Sequence, residues 1–287
     1  MSLDQQLHSF RAAHPPAQVR AAGHEWTYVR AGSGGPAVLL LGGALGRAEF
    51  AFPVIAALGD AVRVIAPDYP PVRSLREAAD GLAALLDAEG VRRAHVVGGS
   101  FGGVVAQAFA REHPDRVASL VLSHTGAPDR GKGRGAAVRI LSLLPGGLLR
   151  WMLGARVRGT LAAADPFWTR RFDEVISGLS KADVLSRIAL AAEFGARYGD
   201  APRPQRPPYP VLIVEADDDP LFTEGKRTPL HALYPDARVH VFHGTGHAAG
   251  ILKPDEYAGV IRGFVEEAES AAAVGAGRLM KSPGESD

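Results

Sequence analysis

The chain predicts an α/β fold, a mostly parallel sheet flanked by helices with a helical lid insertion. Three observations carry this expectation. Short apolar runs alternate with helix-period segments through residue 126 and again after residue 206, the order that builds parallel sheets covered on both faces. Between them, residues 127–200 hold helix-like patches and no clear strand. The 287 residues are 46% apolar, enough for one large core carrying an insertion.

Taken in order, HEWTYVRAG (24–32) alternates as a strand does. AVLLLG (37–42) is continuously apolar, as in a strand buried on both faces. A helix is expected at 48–58, and VRVIA (62–66) is a strand closed by Pro67. Ser74 and Glu77 have capping-box spacing, and Leu75, Leu82, Leu85 and Leu86 recur at helical spacing towards Gly90. AHVVG (94–98) is a strand. Residues 101–113 form a helix with Val104, Val105, Ala108 and Phe109 on one face, and VASLVLS (117–123) is a strand. The insertion includes ILSLLPGGLLRWML and ends in the Pro-rich stretch APRPQRPPYP (201–210). VLIVEA (211–216) restarts the strand pattern, followed by a helix at 225–234, a strand at 238–242 and a helix over 254–268. The expected organisation is a core of residues 1–126 and 206–270, a helical lid of residues 127–205, and a small, polar, disordered tail of residues 271–287. There is no internal repeat.

Lys plus Arg number 32 and Asp plus Glu 31, a net charge of +1, so no global field favours nucleic acid. The absence of cysteine removes disulfides, thiolate chemistry and Cys-based zinc sites. No cofactor or metal is expected. The start, MSLDQQLHSFRAAHPP, lacks the apolar centre of a signal peptide. No run reaches the roughly 18 apolar residues of a membrane span. The expectation is a soluble, cytoplasmic protein acting on a small molecule; the sequence leaves its oligomeric state open.

Gly98-Gly99-Ser100-Phe101-Gly102 is G-x-S-x-G between a predicted strand and a predicted helix, the context in which this pattern carries a nucleophile. An abrupt strand-to-helix turn strains the serine backbone and exposes its hydroxyl at a helix N-terminus, whose dipole favours developing negative charge. A serine hydroxyl needs a base. Of ten histidines, His247 in HGTGHAAG follows the strand at 238–242 on a Gly244/Gly246 loop; His243 is its nearest competitor. An acid must then hold the imidazole in one tautomer. Asp217-Asp218-Asp219-Pro220 follows VLIVEA, giving the order Ser, acid, His. Three adjacent carboxylates cannot all face one ring; Asp219 is favoured, then Asp217. A second place for an acid, after the strand at 117–123, offers only Ser123 and His124. The oxyanion donors expected are the backbone N–H groups of Phe101 and, from the loop Gly42-Gly43-Ala44-Leu45-Gly46, Ala44.

Between Asp129 and Thr160 the lid has seven Lys or Arg and one acidic residue, interleaved with Leu, Trp151 and Met152. This is either an amphipathic lid with snorkelling arginines or a docking face for an anionic surface or acidic carrier. Phe167, Trp168 and Phe194 either line an acyl pocket or pack in the core.

Residues 24–268 resemble the α/β-hydrolase superfamily, on GGSFGG, EADDDP and GTGH. Within it, APDYPPVRSLREAADGL, QAFAREHPDRVASLVL and ALYPDARVHVF resemble the maspardin-like branch. The resemblance implies an eight-stranded-type sheet and a serine hydrolase that cleaves a carboxylic ester through an acyl-enzyme. Thioesterase, lactonase and C–C bond hydrolase chemistry fit the same residues, whereas a serine argues against the aspartate-nucleophile dehalogenases and epoxide hydrolases. The maspardin-like branch also implies an alternative, a non-catalytic interaction module. The histidine in the G-x-G-H position favours activity. The superfamily often has His-Gly before its oxyanion residue; here Gly42 occupies the His position.

Overall fold

The computed structural model describes residues 1–129, 134–161, 164–199 and 206–279. Helix α1 (Leu3–Ala13) opens on Ser2, which exchanges capping hydrogen bonds with Gln5. Strands β1 (Ala17–Ala21) and β2 (His24–Ala31) pair as a hairpin. Its turn residues, Ala22 and Gly23, both have positive φ, which lets a two-residue loop follow the strand twist. Then come β3 (Ala37–Leu41), α2 (Phe52–Leu58), β4 (Arg63–Pro67), α3 (Leu75–Ala88), β5 (Ala94–Gly99), α4 (Phe101–Glu112) and β6 (Val117–Ser123). Four insertion helices follow: α5 (Arg134–Ser142), α6 (Gly146–Arg158), α7 (Pro166–Gly178) and α8 (Lys181–Tyr198). The chain returns to the sheet with β7 (Val211–Ala216), α9 (Glu224–Leu233), β8 (Arg238–Phe242), the short α10 (Ala249–Leu252) and α11 (Pro254–Leu279).

The eight strands lie in the order β1-β2-β4-β3-β5-β6-β7-β8. β2 runs antiparallel to both neighbours and the remaining pairs are parallel. The chain leaves β3 for β4 on one side and crosses to β5 on the other, so the strand order reverses at β3/β5. Ligands of open parallel sheets bind outside the strands' carboxyl ends at such a point. β3 shows why its sequence is continuously apolar: Leu39 and Leu41 enter the core under α3 and α4, while Val38 and Leu40 enter the core under α2 and α11.

The eighth strand is β1, whose sequence, AQVRA, is too short and polar to stand out. α1 was equally hidden by its polar composition, although Ser2 and Gln5 carry the capping-box spacing. The helix expected at 48–58 divides into a 3₁₀ turn at Ala48–Ala51 and α2, with Pro53 in the first helical turn. Ser74 caps α3, but Glu77 accepts from the Arg73 N–H rather than closing the box on Ser74. α11 continues to Leu279, beyond residue 271 where the sequence predicts a tail. The remainder of that tail, residues 201–205 of the Pro-rich stretch, and Arg130 and Lys132 of the basic stretch lie outside the described residues.

The insertion has its own apolar cluster, including Leu149, Phe172, Ile176 and Val184, which closes against Leu45 and Ala248 of the sheet's loops. Polar pins fasten α8 to the loop before α3. Ser186 Oγ donates to Val72 O (2.6 Å), Arg187 donates to Tyr69 O (2.7 Å), and the Leu75 N–H donates to the Glu193 carboxylate (2.9 Å). No helix among the described residues is long and apolar enough to cross a membrane.

Candidate active site

Ser100 stands between β5 and α4 with φ 53° and ψ −117°, a left-handed conformation that costs a non-glycine residue about 1–3 kcal/mol. The surroundings hold it there. Its N–H donates to Ser123 O at 2.8 Å, and its carbonyl accepts from the Gly103 N–H at 2.9 Å. The glycines of the motif are steric necessities. A Cβ on Gly102 would fall 2.1 Å from Leu41 O, and one on Gly98 would fall 2.5 Å from Gly102 O. Helix α4 can therefore enter directly above the ends of β3 and β5.

Asp219 follows β7 and is buried. Its Oδ1 accepts from the N–H groups of Leu221 (2.8 Å) and Phe222 (3.1 Å), and its Oδ2 accepts from His247 Nδ1 at 2.8 Å. His247 Nε2 lies 2.9 Å from Ser100 Oγ. A carboxylate only accepts, so Nδ1 carries the ring proton and Nε2 is left to accept from the serine hydroxyl. Burial alone would raise the Asp219 pKa. The His247 bond and charge, with the two backbone donors, outweigh it and hold the carboxyl below its ordinary range. The Phe222 ring stacks on His247 at 5.5 Å.

The three adjacent aspartates divide their tasks. Asp217 pairs with His243 Nδ1 at 2.7 Å on the exposed surface, away from Ser100. Asp218 accepts from the Gly246 N–H at 2.9 Å and so fastens the histidine loop. Only Asp219 reaches His247. Gly244 and Gly246 of that loop both have positive φ.

The loop after β3 lies beside the serine: a Cβ on Gly43 would sit 3.7 Å from Ser100 Cβ. Ala44 and Ser100 line the same cavity. Phe101 is the first residue of α4, where helix geometry leaves backbone N–H groups without intrahelical partners. Gly42 O accepts from the Tyr69 hydroxyl at 2.9 Å, and the Tyr69 ring packs edge-on against Phe101. A tyrosine thus tethers the loop at the position where the superfamily often has histidine.

The cavity over Ser100 measures about 220 Å³ and is mostly apolar, with Leu153, Leu161 and Phe172 contributed by the insertion. Phe167, Trp168 and Phe194 pack into the sheet's two cores instead. Phe172, five residues beyond Phe167, was not singled out in the sequence because helical aromatics there share no sequence mark of which face they present. His124, also missed as a site residue, lines the cavity. It is buried at φ 46°, with Nδ1 2.8 Å from Ser123 Oγ and its ring perpendicular to His247. Burial, then the neighbouring His247, pushes its pKa down to about 4.

A model described as the alpha/beta hydrolase family matches residues 37–260. A protein of Azorhizobium caulinodans named for carbamate hydrolysis (RutD) is 31% identical over 82% of this chain and 93% of its own length. Maspardin of Danio rerio is 28% identical over 67% of this chain and 62% of its own. The crystal structure of a hydrolase from Pseudomonas aeruginosa PA01 superposes with a TM-score of 0.73 at 21% identity, covering 88% of this chain and 98% of that one. The match over residues 37–260, which carry strands β3 to β8, the elbow and the acid turn, means that the chain belongs to the alpha/beta hydrolase family.

Proposed function

We propose that the chain is a serine hydrolase that cleaves a carboxylic ester, or a related acyl bond, through an acyl-enzyme. The observation that carries this reading is the continuous chain Asp219 Oδ2–His247–Ser100 Oγ, with links of 2.8 and 2.9 Å. His247 Nε2 takes the Ser100 proton as Oγ attacks the acyl carbonyl, and Asp219 stabilises the imidazolium that forms. The backbone N–H groups of Ala44 and Phe101 receive the oxyanion. His247 then returns the proton to the leaving group, and a water activated by the same ring resolves the acyl-enzyme. The apolar cavity accepts an uncharged acyl or leaving group of modest size. The relative named for carbamate hydrolysis supports extending the substrate series to carbamates, since a carbamate carbonyl undergoes the same attack.

The test is turnover of p-nitrophenyl esters of increasing acyl length, together with thioesters, lactones and carbamates, and labelling by a fluorophosphonate. Wild type is expected to turn over at least the short esters and to label at Ser100. Ser100→Ala should not label and should lose on the order of 10⁴-fold or more in kcat. A pure, folded wild type that neither labels nor turns over any of them would overturn the reading and favour the interaction module.

A further inference from the structure

We propose that the outer face of the insertion docks on an anionic phospholipid surface. Nine large apolar side chains are exposed among the described residues, and five of them, Ile140, Leu143, Leu148, Trp151 and Met152, fall on α5, α6 and the turn between. Leu148, Trp151 and Met152 stand at i, i+3 and i+4, so they share one face of α6. The neighbouring face is covered: Leu149 is buried and Leu153 lines the cavity above Ser100. α6 is thus apolar on two faces, and the fold covers one. A helix with that pattern ordinarily has a second apolar neighbour.

Charge identifies the neighbour. Between Asp129 and Thr160 the sequence holds seven Lys or Arg against one acidic residue, in a chain whose net charge is +1. The rest of the chain is therefore net negative, and the positive charge is concentrated on this segment. Arg139 is exposed beside Ile140. Two others have local partners: Arg150 donates to Leu179 O, and Arg158 pairs with Asp173. A second copy docked through the same face would set this positive segment against itself, because a two-fold interface repeats one patch on both partners. An acidic protein would satisfy the charge, and the exposed indole and aliphatic groups only where it also presented a matching apolar patch. A bilayer with anionic headgroups satisfies both, with Trp151 at headgroup depth and arginines in the phosphate layer. Docking in this pose would place Leu153, one of the three cavity-lining residues from the insertion, close to the lipid from which an apolar acyl substrate would be drawn.

The sequence supplies its own reporter. Of the three tryptophans, Trp26 and Trp168 are 0% and 3% exposed and Trp151 is 64% exposed. The full chain would be mixed with phosphatidylcholine vesicles with and without phosphatidylglycerol, and tryptophan emission and co-sedimentation recorded at low and high salt. The expected result is a blue shift and co-sedimentation with the anionic vesicles only, both reversed by salt. Trp151→Ser should abolish the shift and weaken co-sedimentation at least tenfold, while Leu143→Ser, which keeps the reporter, should weaken it by a smaller factor. Both sites are exposed, and unchanged thermal unfolding of the variants separates lost docking from lost folding. Ser100→Ala should bind like wild type, so the result stands or falls independently of the hydrolase reading. No co-sedimentation with anionic vesicles, binding unchanged in Trp151→Ser, or a self-association lost in Trp151→Ser without vesicle binding would each overturn the proposal.

Discussion

Around Ser100, each site side chain lies on the loop that leaves the carboxyl end of a parallel strand, β5, β7 or β8, and hydrogen bonds among those strand ends and loops fix its position. The Ser100 N–H is held by Ser123 O at the end of β6, and the His124 N–H by Val214 O of β7. The insertion is held differently. Its helices share one small apolar cluster that closes on Leu45 and Ala248; α7 and α8 also send Phe167, Trp168 and Phe194 into the sheet's cores, and α8 adds the polar pins of Ser186, Arg187 and Glu193. Leu45 adjoins Ala44 and Ala248 adjoins His247, so the insertion touches the sheet's loops beside the proposed oxyanion donor and the proposed base. The proposed chemistry belongs to the sheet's strand ends, where several hydrogen bonds hold each position. What reaches it depends on α6 and α7, where a few apolar contacts decide the shape of the cavity. Changes in the first region should therefore act on kcat or on global stability, and changes in the second on KM.

The sharpest division lies within one tripeptide. Asp219→Asn removes the acceptor that fixes the His247 tautomer, and a loss of about 10³–10⁴-fold in kcat is expected. Asp217→Asn breaks the exposed pair with His243 and keeps an oxygen that can still accept from the Gly244 N–H, so kcat should stay within about twofold, since exposed pairs contribute little. Ester kinetics on the two variants, with circular dichroism to confirm folding, checks this. Equal losses would mean that the acid turn can rearrange, and the contrast between a sheet edge fixed by hydrogen bonds and an insertion closed by apolar contacts would fail.

Much of the rigid region was legible in the sequence. G-x-S-x-G, the aspartate run after VLIVEA and the G-x-G-H loop each sit at a strand end, and strands buried on both faces announce themselves as apolar runs. The choice of Asp219 over Asp217 followed from a favoured position before Pro220, and the geometry gives each carboxylate its own partner. His124 was illegible because its relevance comes from a strand neighbour. β7 follows β6 in the sheet only after the whole insertion, and nothing in the order of residues says that the His124 ring stands across His247. Cavity lining from the insertion was illegible for a related reason. Helical spacing shows which residues share a face but not which face meets the core, so Phe167 and Trp168 were candidates where Phe172 lines the cavity.

The elbow offers the next test of rigidity. Gly102→Ala would drive a Cβ to 2.1 Å from Leu41 O and 2.6 Å from Gly42 O, both backbone atoms of a buried strand end. No side chain can yield there, and a loss of about 3 kcal/mol or more in urea unfolding is expected. The matching change in the insertion, Gly147→Ala on α6, meets nothing within 4 Å and should shift stability by less than about 1 kcal/mol, in the favourable direction for a helical site. A tolerated Gly102→Ala would show that α4 can retreat from β3.

The same contrast can be read with protons. His124 is buried beside His247, and its pKa falls from 6.5 to about 4. Folding therefore favours the neutral ring. The unfolded chain binds the proton first as pH drops, so this contribution is complete above about pH 6.5 and is lost progressively towards pH 4. Its full size is about 3 kcal/mol, from roughly 1.4 kcal/mol per pKa unit. Urea unfolding of wild type at pH 7 and pH 4.5 should show a loss of about 2 kcal/mol or more attributable to this ring. In His124→Asn, which tolerates the positive φ, that part of the loss should disappear even if the variant is less stable at pH 7. If the pH dependence of His124→Asn matches wild type, acid lability arises elsewhere. Asp219, whose carboxyl His247 and two backbone donors hold below its ordinary range against the opposing effect of burial, would then be the place to look, because its stabilising contribution is lost as acid protonates it and it lies on the same sheet edge.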